Sequence, residues 1–179
     1  MLKLFGFDRI AVVLGDLYFV DPDPAPGQEG AEHGVRVEVR FIEMRQHDGS
    51  IYAARPIFVG EPVWRLDLLE SVDGDRGSFD RTHHHPLMRG YEPRSRKFER
   101  ELSSDPLGYL AGRLRDLPGL LEQAELPADR ASDDDIRQLQ ASVDEIVAAT
   151  AAMLDDVRRG ELAHPVEPDE SGLARTGWL

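Results

Sequence analysis

The chain contains no cysteine, which excludes a disulfide framework, a thiolate metal site and a small stapled secreted scaffold. No apolar run approaches the ~18 residues that a membrane helix needs. The start, MLKLFGFDRIAVVLGD, carries only Lys3 ahead of an apolar patch that Asp8 and Arg9 interrupt, so it does not read as a signal peptide. A soluble cytoplasmic protein without a membrane partner is the expectation. No Walker-type loop, G-x-G-x-x-G, G-x-S-x-G or H-E-x-x-H occurs, so P-loop nucleotide hydrolysis, Rossmann redox chemistry and α/β-hydrolase chemistry lack support. Lysine is scarce at two of the 21 bases.

What is present is acidity. The 179 residues carry a net charge of −13, and a particle of that charge repels a polyanion at long range. The distribution is uneven. Between Arg76 and Glu101 seven bases face four acids, so this segment is +3 and the remainder −16. His83, His84 and His85 lie inside it. A local anion site on an acidic body therefore stays open, beside the plainer reading in which these arginines pair with neighbouring acids on a solvated face.

The length predicts one domain over 1–179, mainly β over 1–97, helical over 98–160, with an extended tail over 161–179. Ile10–Leu14 reads as a strand followed by the apolar patch Leu17–Val20, and Asp21–Gly34 as an exposed Pro/Gly loop. In Val35–Arg45, Val35, Val37, Val39 and Phe41 alternate with Arg36, Glu38 and Arg40, the period of a strand with one wet face. His47–Ser50 is turn chemistry, and Ile51–Val59 a short strand broken by Pro56. Val63–Ser71 is a further strand, Asp73–Gly77 a turn, and Ser78–His85 the returning arm of a hairpin. Asp105 caps a helix that opens on Pro106 and ends or kinks at Pro118.

Ser132 and Asp135 start a long helix over 133–159 with three aspartates in its first turn, Arg158 and Arg159 in its last and Gly160 as its stop. Its stripe of Ile136, Leu139, Val143, Ile146, Thr150, Met153 and Val157 either packs on the sheet or forms a short coiled-coil seam for a protein partner or a homodimer. The fold expected is α+β, a bent antiparallel sheet covered by C-terminal helices.

Phe79-Asp80-Arg81-Thr82-His83-His84-His85-Pro86 is the segment with chemistry in it. In an extended strand Arg81, His83 and His85 share one face, and Asp80, Thr82 and His84 the other. Two chemistries follow. Two imidazoles beside an arginine supply a general base, a general acid and a phosphate clamp, enough to cleave RNA through its own 2′-hydroxyl without a cofactor. Alternatively, His-x-His presents two ring nitrogens to a divalent metal whose shell Asp67 or Asp80 completes. A structural role for the run stands beside both.

The run Phe79-Asp80, three residues, then His84-His85-Pro86-Leu87 resembles the aromatic-Asp-x-x-x-His-His-Pro segment of TumE-type proteins, small bacterial toxins of toxin–antitoxin pairs. Trp64 and Asp67 stand where that family has an aromatic-polar strand, and the resemblance covers about residues 62–115. It implies a toxin-like or ribonuclease-like protein with its activity altered or lost. The first functional expectation, read from the strand geometry, is an RNA-directed phosphodiesterase of the toxin kind in which His83 and His85 share acid and base roles, Arg81 stabilises the phosphate, and Arg94, Arg96 and Lys97 hold the strand. The chain departs from the family in having Gly77-Ser78 where an arginine is usual, and Arg94, Arg96 and Lys97 where a second histidine cluster falls. These changes keep an anion site and remove histidines. The rival expectation is a non-catalytic acidic interaction protein that binds through the 133–159 helix.

Overall fold

The computed structural model describes residues 1–44 and 57–165. The turn expected at His47–Ser50, most of the strand expected at Ile51–Val59, and the tail beyond residue 165 lie outside the described residues.

Five strands form an antiparallel meander in chain order: β1 (Leu2–Gly6), β2 (Ile10–Val20), β3 (Ala31–Met44), β4 (Ile57–Ser71) and β5 (His83–His85). A two-stranded ribbon follows, β6 (Met88–Arg89) with β7 (Glu92–Pro93). The helices come last: α1 (Arg100–Ser104), α2 (Pro106–Arg115), α3 (Leu117–Gln123) and α4 (Asp133–Arg158). The fold is α+β, as the sequence pattern implies.

The period-two alternation sets the core. Val35, Val37 and Val39 of β3 are fully buried beside Ile10, Val12 and Leu14 of β2 and Trp64, Leu66 and Leu68 of β4. Helix α4 lies across β2 and β3, with α2 beside it. Its Leu139, Val143, Ile146, Thr150, Met153 and Val157 are buried in the same cluster. A second copy or a partner therefore finds no free apolar face on that stripe, because the sheet already covers it.

Three local rules explain most element ends. Asp105 accepts from the Gly108 amide and caps α2 at Pro106. The same chemistry recurs at Asp116, which accepts from Gly119 and starts α3, so Pro118 opens a new helix instead of kinking the old one. Ser132 and Asp135 close a full capping box on α4, and Asp135 also accepts from the Arg9 amide at 2.9 Å, tying the helix to the β1–β2 turn.

Strand β4 is longer than the sequence pattern suggests, since pairing continues past Pro62. That residue has no N–H, and the ladder accommodates it with irregularities around Arg40. The returning arm is shorter. Over 78–82 the chain turns, with Phe79 at φ 49°; one backbone bond joins the Arg81 amide to the Leu69 carbonyl at 3.2 Å, and the regular ladder with β4 starts at His83. The Thr82 hydroxyl meets both the N–H and the carbonyl of Leu69 at 3.0 Å, so a side chain takes the place of a ladder rung.

Candidate metal centre

Antiparallel register places Asp67 opposite His83, Leu66 opposite His84 and Arg65 opposite His85. Alternation then sends His83 and His85 to the face of the sheet away from the helices, together with Asp67 and Arg65. His84 goes into the helix side. There it accepts at Nδ1 from the Trp64 indole N–H at 3.1 Å, so its proton sits on Nε2, which donates to Glu99 at 3.0 Å. Burial lowers the His84 pKa, which suits this neutral form. Its role is structural, fastening the segment before α1 to the sheet.

His83 and His85 have the opposite tautomer. Nδ1 of His83 is 2.9 Å from the Arg81 carbonyl, and Nδ1 of His85 is 2.9 Å from the Ser95 carbonyl. A carbonyl only accepts, so each Nδ1 carries a proton, and in its neutral form each ring turns an Nε2 lone pair inward. Both lone pairs meet the same oxygen: Oδ2 of Asp67 is 3.5 Å from His83 Nε2 and 3.6 Å from His85 Nε2. One ligand atom from each of the three residues lies within 4.8 Å of the others, and all three residues are buried.

The electrostatics keep these groups in ligand form. Burial opposes the charge on Asp67, yet the Arg36 guanidinium holds its carboxyl far below the usual carboxylate range. Arg36 reaches it through two hydrogen bonds, Nε to Oδ1 at 2.7 Å and an Nη to Oδ2 at 3.1 Å. Burial pushes the His83 pKa down, against the pull of Asp67. With both rings neutral, three lone-pair donors lie within 4.8 Å of one another. Donors bonded to zinc at about 2.0–2.1 Å in a tetrahedron are about 3.3–3.4 Å apart, close to the separations seen here. The donated Nδ1 hydrogen bonds are the outer partners that orient metal-ligating imidazoles.

The triad forms one wall of a cavity of about 230 Å³. Leu17, Phe19, Leu69 and Pro93 supply its apolar lining, and Arg36, Arg65 and Arg96 its cationic one. Each guanidinium already has a carboxylate: Arg36 has Asp67, Arg65 has Glu38 and Arg96 has Asp21. The polar face of the sheet is consequently not wet, contrary to the pattern in β3. Glu38 and Arg65 are 6% and 8% exposed and Asp67 only 2%, because cross-strand pairing lets them be covered.

Of the other residues singled out from sequence, Arg81 does not join the histidines. The strand does not extend back to it, and its guanidinium donates to the Gly27 and Glu29 carbonyls at 3.0 and 3.3 Å. Asp80 accepts from the Ser71 amide and the Ser78 hydroxyl, so it shapes the turn and stays apart from the triad. Arg94 and Lys97 are exposed, and the backbone of Lys97 pairs with that of His84. Among the bases of that segment Arg96 alone lines the cavity. Phe98 stacks on His83, ring centroids 5.5 Å apart. Arg36 and Arg65 escape sequence reasoning, since only the register of β3, β4 and β5 brings them to the histidines.

No protein-family profile matches the chain, and neither a curated protein nor a solved structure does. Among the described residues no helix is long and apolar enough to cross a membrane.

Proposed function

We propose that Asp67, His83 and His85 form a divalent metal centre and that the protein is a metal-dependent phosphoesterase, with an RNA phosphodiester among its candidate substrates. The observation that carries this reading is the convergence of two imidazole lone pairs on one carboxylate oxygen. The spacing accommodates an ion. In a scheme with His83 as base and His85 as acid the phosphate would share the place of Asp67 Oδ2, which lies 3.5 and 3.6 Å from the two Nε2 atoms, while Arg81 donates to the Gly27 and Glu29 carbonyls. The toxin-like ribonuclease expectation thereby takes a metal-assisted form.

Asp67, His83 and His85 would hold the ion at the wall of the cavity, where it would supply Lewis-acid polarisation of a phosphoryl oxygen and a more acidic water. The chain's residues set the rest. With its arginines balanced by Asp67, Glu38 and Asp21, the wall gains the ion's two positive charges on loading, so an anion is the favoured occupant of the cavity. Arg96 at the mouth holds that anion, while Arg36 fixes the orientation of Asp67. In hydrolysis the water oxygen bonds to phosphorus, the P–O bond to the leaving alcohol breaks, and the water proton ends on that alcohol.

The test uses protein purified without a histidine tag. Equilibrium dialysis against zinc is expected to give one ion per chain. Zinc- or manganese-dependent cleavage of bis(p-nitrophenyl) phosphate, and of RNA, is expected to fall about 100-fold or more in His85→Ala. Absence of stoichiometric binding, or cleavage unchanged in His85→Ala, contradicts the proposal.

A further inference from the structure

The register of the sheet sets out two parallel rows across its open face. Leu4, Val13, Glu38, Arg65 and His85 are successive cross-strand neighbours, and so are Leu2, Gly15, Arg36, Asp67 and His83. In both rows the chemistry runs in the same order: an apolar side chain at β1, a small or apolar residue at β2, an ion pair at β3 and β4, and imidazole at β5. A second cavity of about 290 Å³ lies over the apolar end. Leu17, Arg36 and Arg65 line both cavities, so the two lie side by side. Leu2 and Leu4 are 46% and 48% exposed at this rim, with Val59 and Tyr91 opposite.

We infer that this trough is the subsite for a compact, uncharged apolar or aromatic group attached to the anion at the metal, so the protein selects aryl- or nucleobase-sized phosphoesters over small alkyl ones. The inference rests on the metal-centre reading. Three observations fix the occupant. The trough adjoins the metal cavity across Leu17, Arg36 and Arg65, so a group attached to an anion at the metal reaches it first. The charged groups of its floor already have partners among the described residues, Glu38 in Arg40 and Arg65 and Asp16 in the N-terminal ammonium and the Ala163 amide. Its volume is at the lower end for small-molecule pockets, right for one ring system and too small for a peptide segment.

Gly15 gives the trough its depth and provides the test. A Cβ there meets only Leu2 Cδ1 at 3.9 Å and the Met1 carbonyl at 4.0 Å, ordinary contacts, and a β-branched residue suits a strand. Gly15→Val therefore fills the floor while leaving the fold and the triad alone. Leu4→Ser is the companion variant, removing apolar wall from a rim position.

Binding of phenylphosphonate and methylphosphonate to the zinc-loaded protein is measured by calorimetry, neither ligand being hydrolysable. The wild type is expected to prefer the phenyl compound by about tenfold or more, from burial of the ring. Gly15→Val and Leu4→Ser are expected to shrink that preference several-fold and leave methylphosphonate affinity unchanged. Equal affinity of wild type for the two ligands overturns the subsite while the metal centre stands. Failure of a zinc-holding protein to bind either overturns both the subsite and the anion reading, and failure to hold zinc removes the centre itself. A dimer that forms with rising concentration and is abolished by Gly15→Val assigns the trough to a second copy and likewise overturns the inference.

Discussion

Of the three consecutive histidines, His84 differs from His83 and His85 in the nitrogen it protonates, because its Nδ1 meets a donor where theirs meet acceptors. His83 and His85 give their Nδ1 protons to backbone carbonyls, whereas His84 receives one from an indole. The group most tightly constrained is Asp67, whose removal leaves Arg36 facing a polar face with no counter-charge. Asp67→Asn is expected to destabilise the metal-free protein by about 3–5 kcal/mol, read as a lower urea midpoint at unchanged slope. Replacing both members, Arg36→Met with Asp67→Leu, is expected to recover most of that loss. A single mutant as stable as the wild type contradicts the paired, covered geometry described for this face. At this scale the histidine run and Asp67 were legible as ligand types. The partners Arg36 and Arg65 were not, because a residue's cross-strand neighbour depends on register and not on local pattern.

Among the elements, α4 carries the cover of the sheet and makes the clearest stability prediction. Ile146 is fully buried against that surface, so Ile146→Ala is expected to lower unfolding free energy by about 2–5 kcal/mol. A loss under about 1 kcal/mol would show that the stripe does not pack as described. The capping box adds a pH signature. Burial raises the Asp135 pKa, but hydrogen bonds from the Arg9 and Ser132 amides outweigh it and hold the carboxyl below its ordinary value. Its folded pKa is therefore the lower one, so its contribution is complete above the unfolded value of about 3.9 and is lost as pH falls through the folded value. Asp135→Asn is expected to flatten this acid limb of a stability-against-pH curve, and an unchanged limb contradicts the assignment.

Helix starts at Asp105-Pro106 and Ser132 were readable because capping is local. The end of α2 was misread for the same reason, since Asp116 caps the next helix through Gly119. The returning arm was overextended because Thr82, through its hydroxyl, ends the ladder in a way that no alternation of apolar residues records.

For the whole molecule, the sheet has one face covered by helices and one lined by cross-strand ion pairs, and the second carries the candidate metal centre. The α+β layering followed from the alternation in β3 together with a helix that needed a surface. The half-covered polar face did not, since charged residues at alternate positions look solvated in one strand and become a network only when two strands are paired. A ligand that binds only the folded state stabilises it by mass action, about 2.7 kcal/mol at a hundredfold excess over its Kd. Zinc is accordingly expected to raise the melting temperature of the wild type, and not that of His83→Ala. The most direct test of the central claim is a zinc-soaked crystal examined at the zinc absorption edge. One anomalous peak about 2.0–2.2 Å from Asp67 Oδ2 and from Nε2 of both His83 and His85 is the predicted result. Zinc bound only elsewhere, with those three atoms unligated at saturating metal, would contradict it.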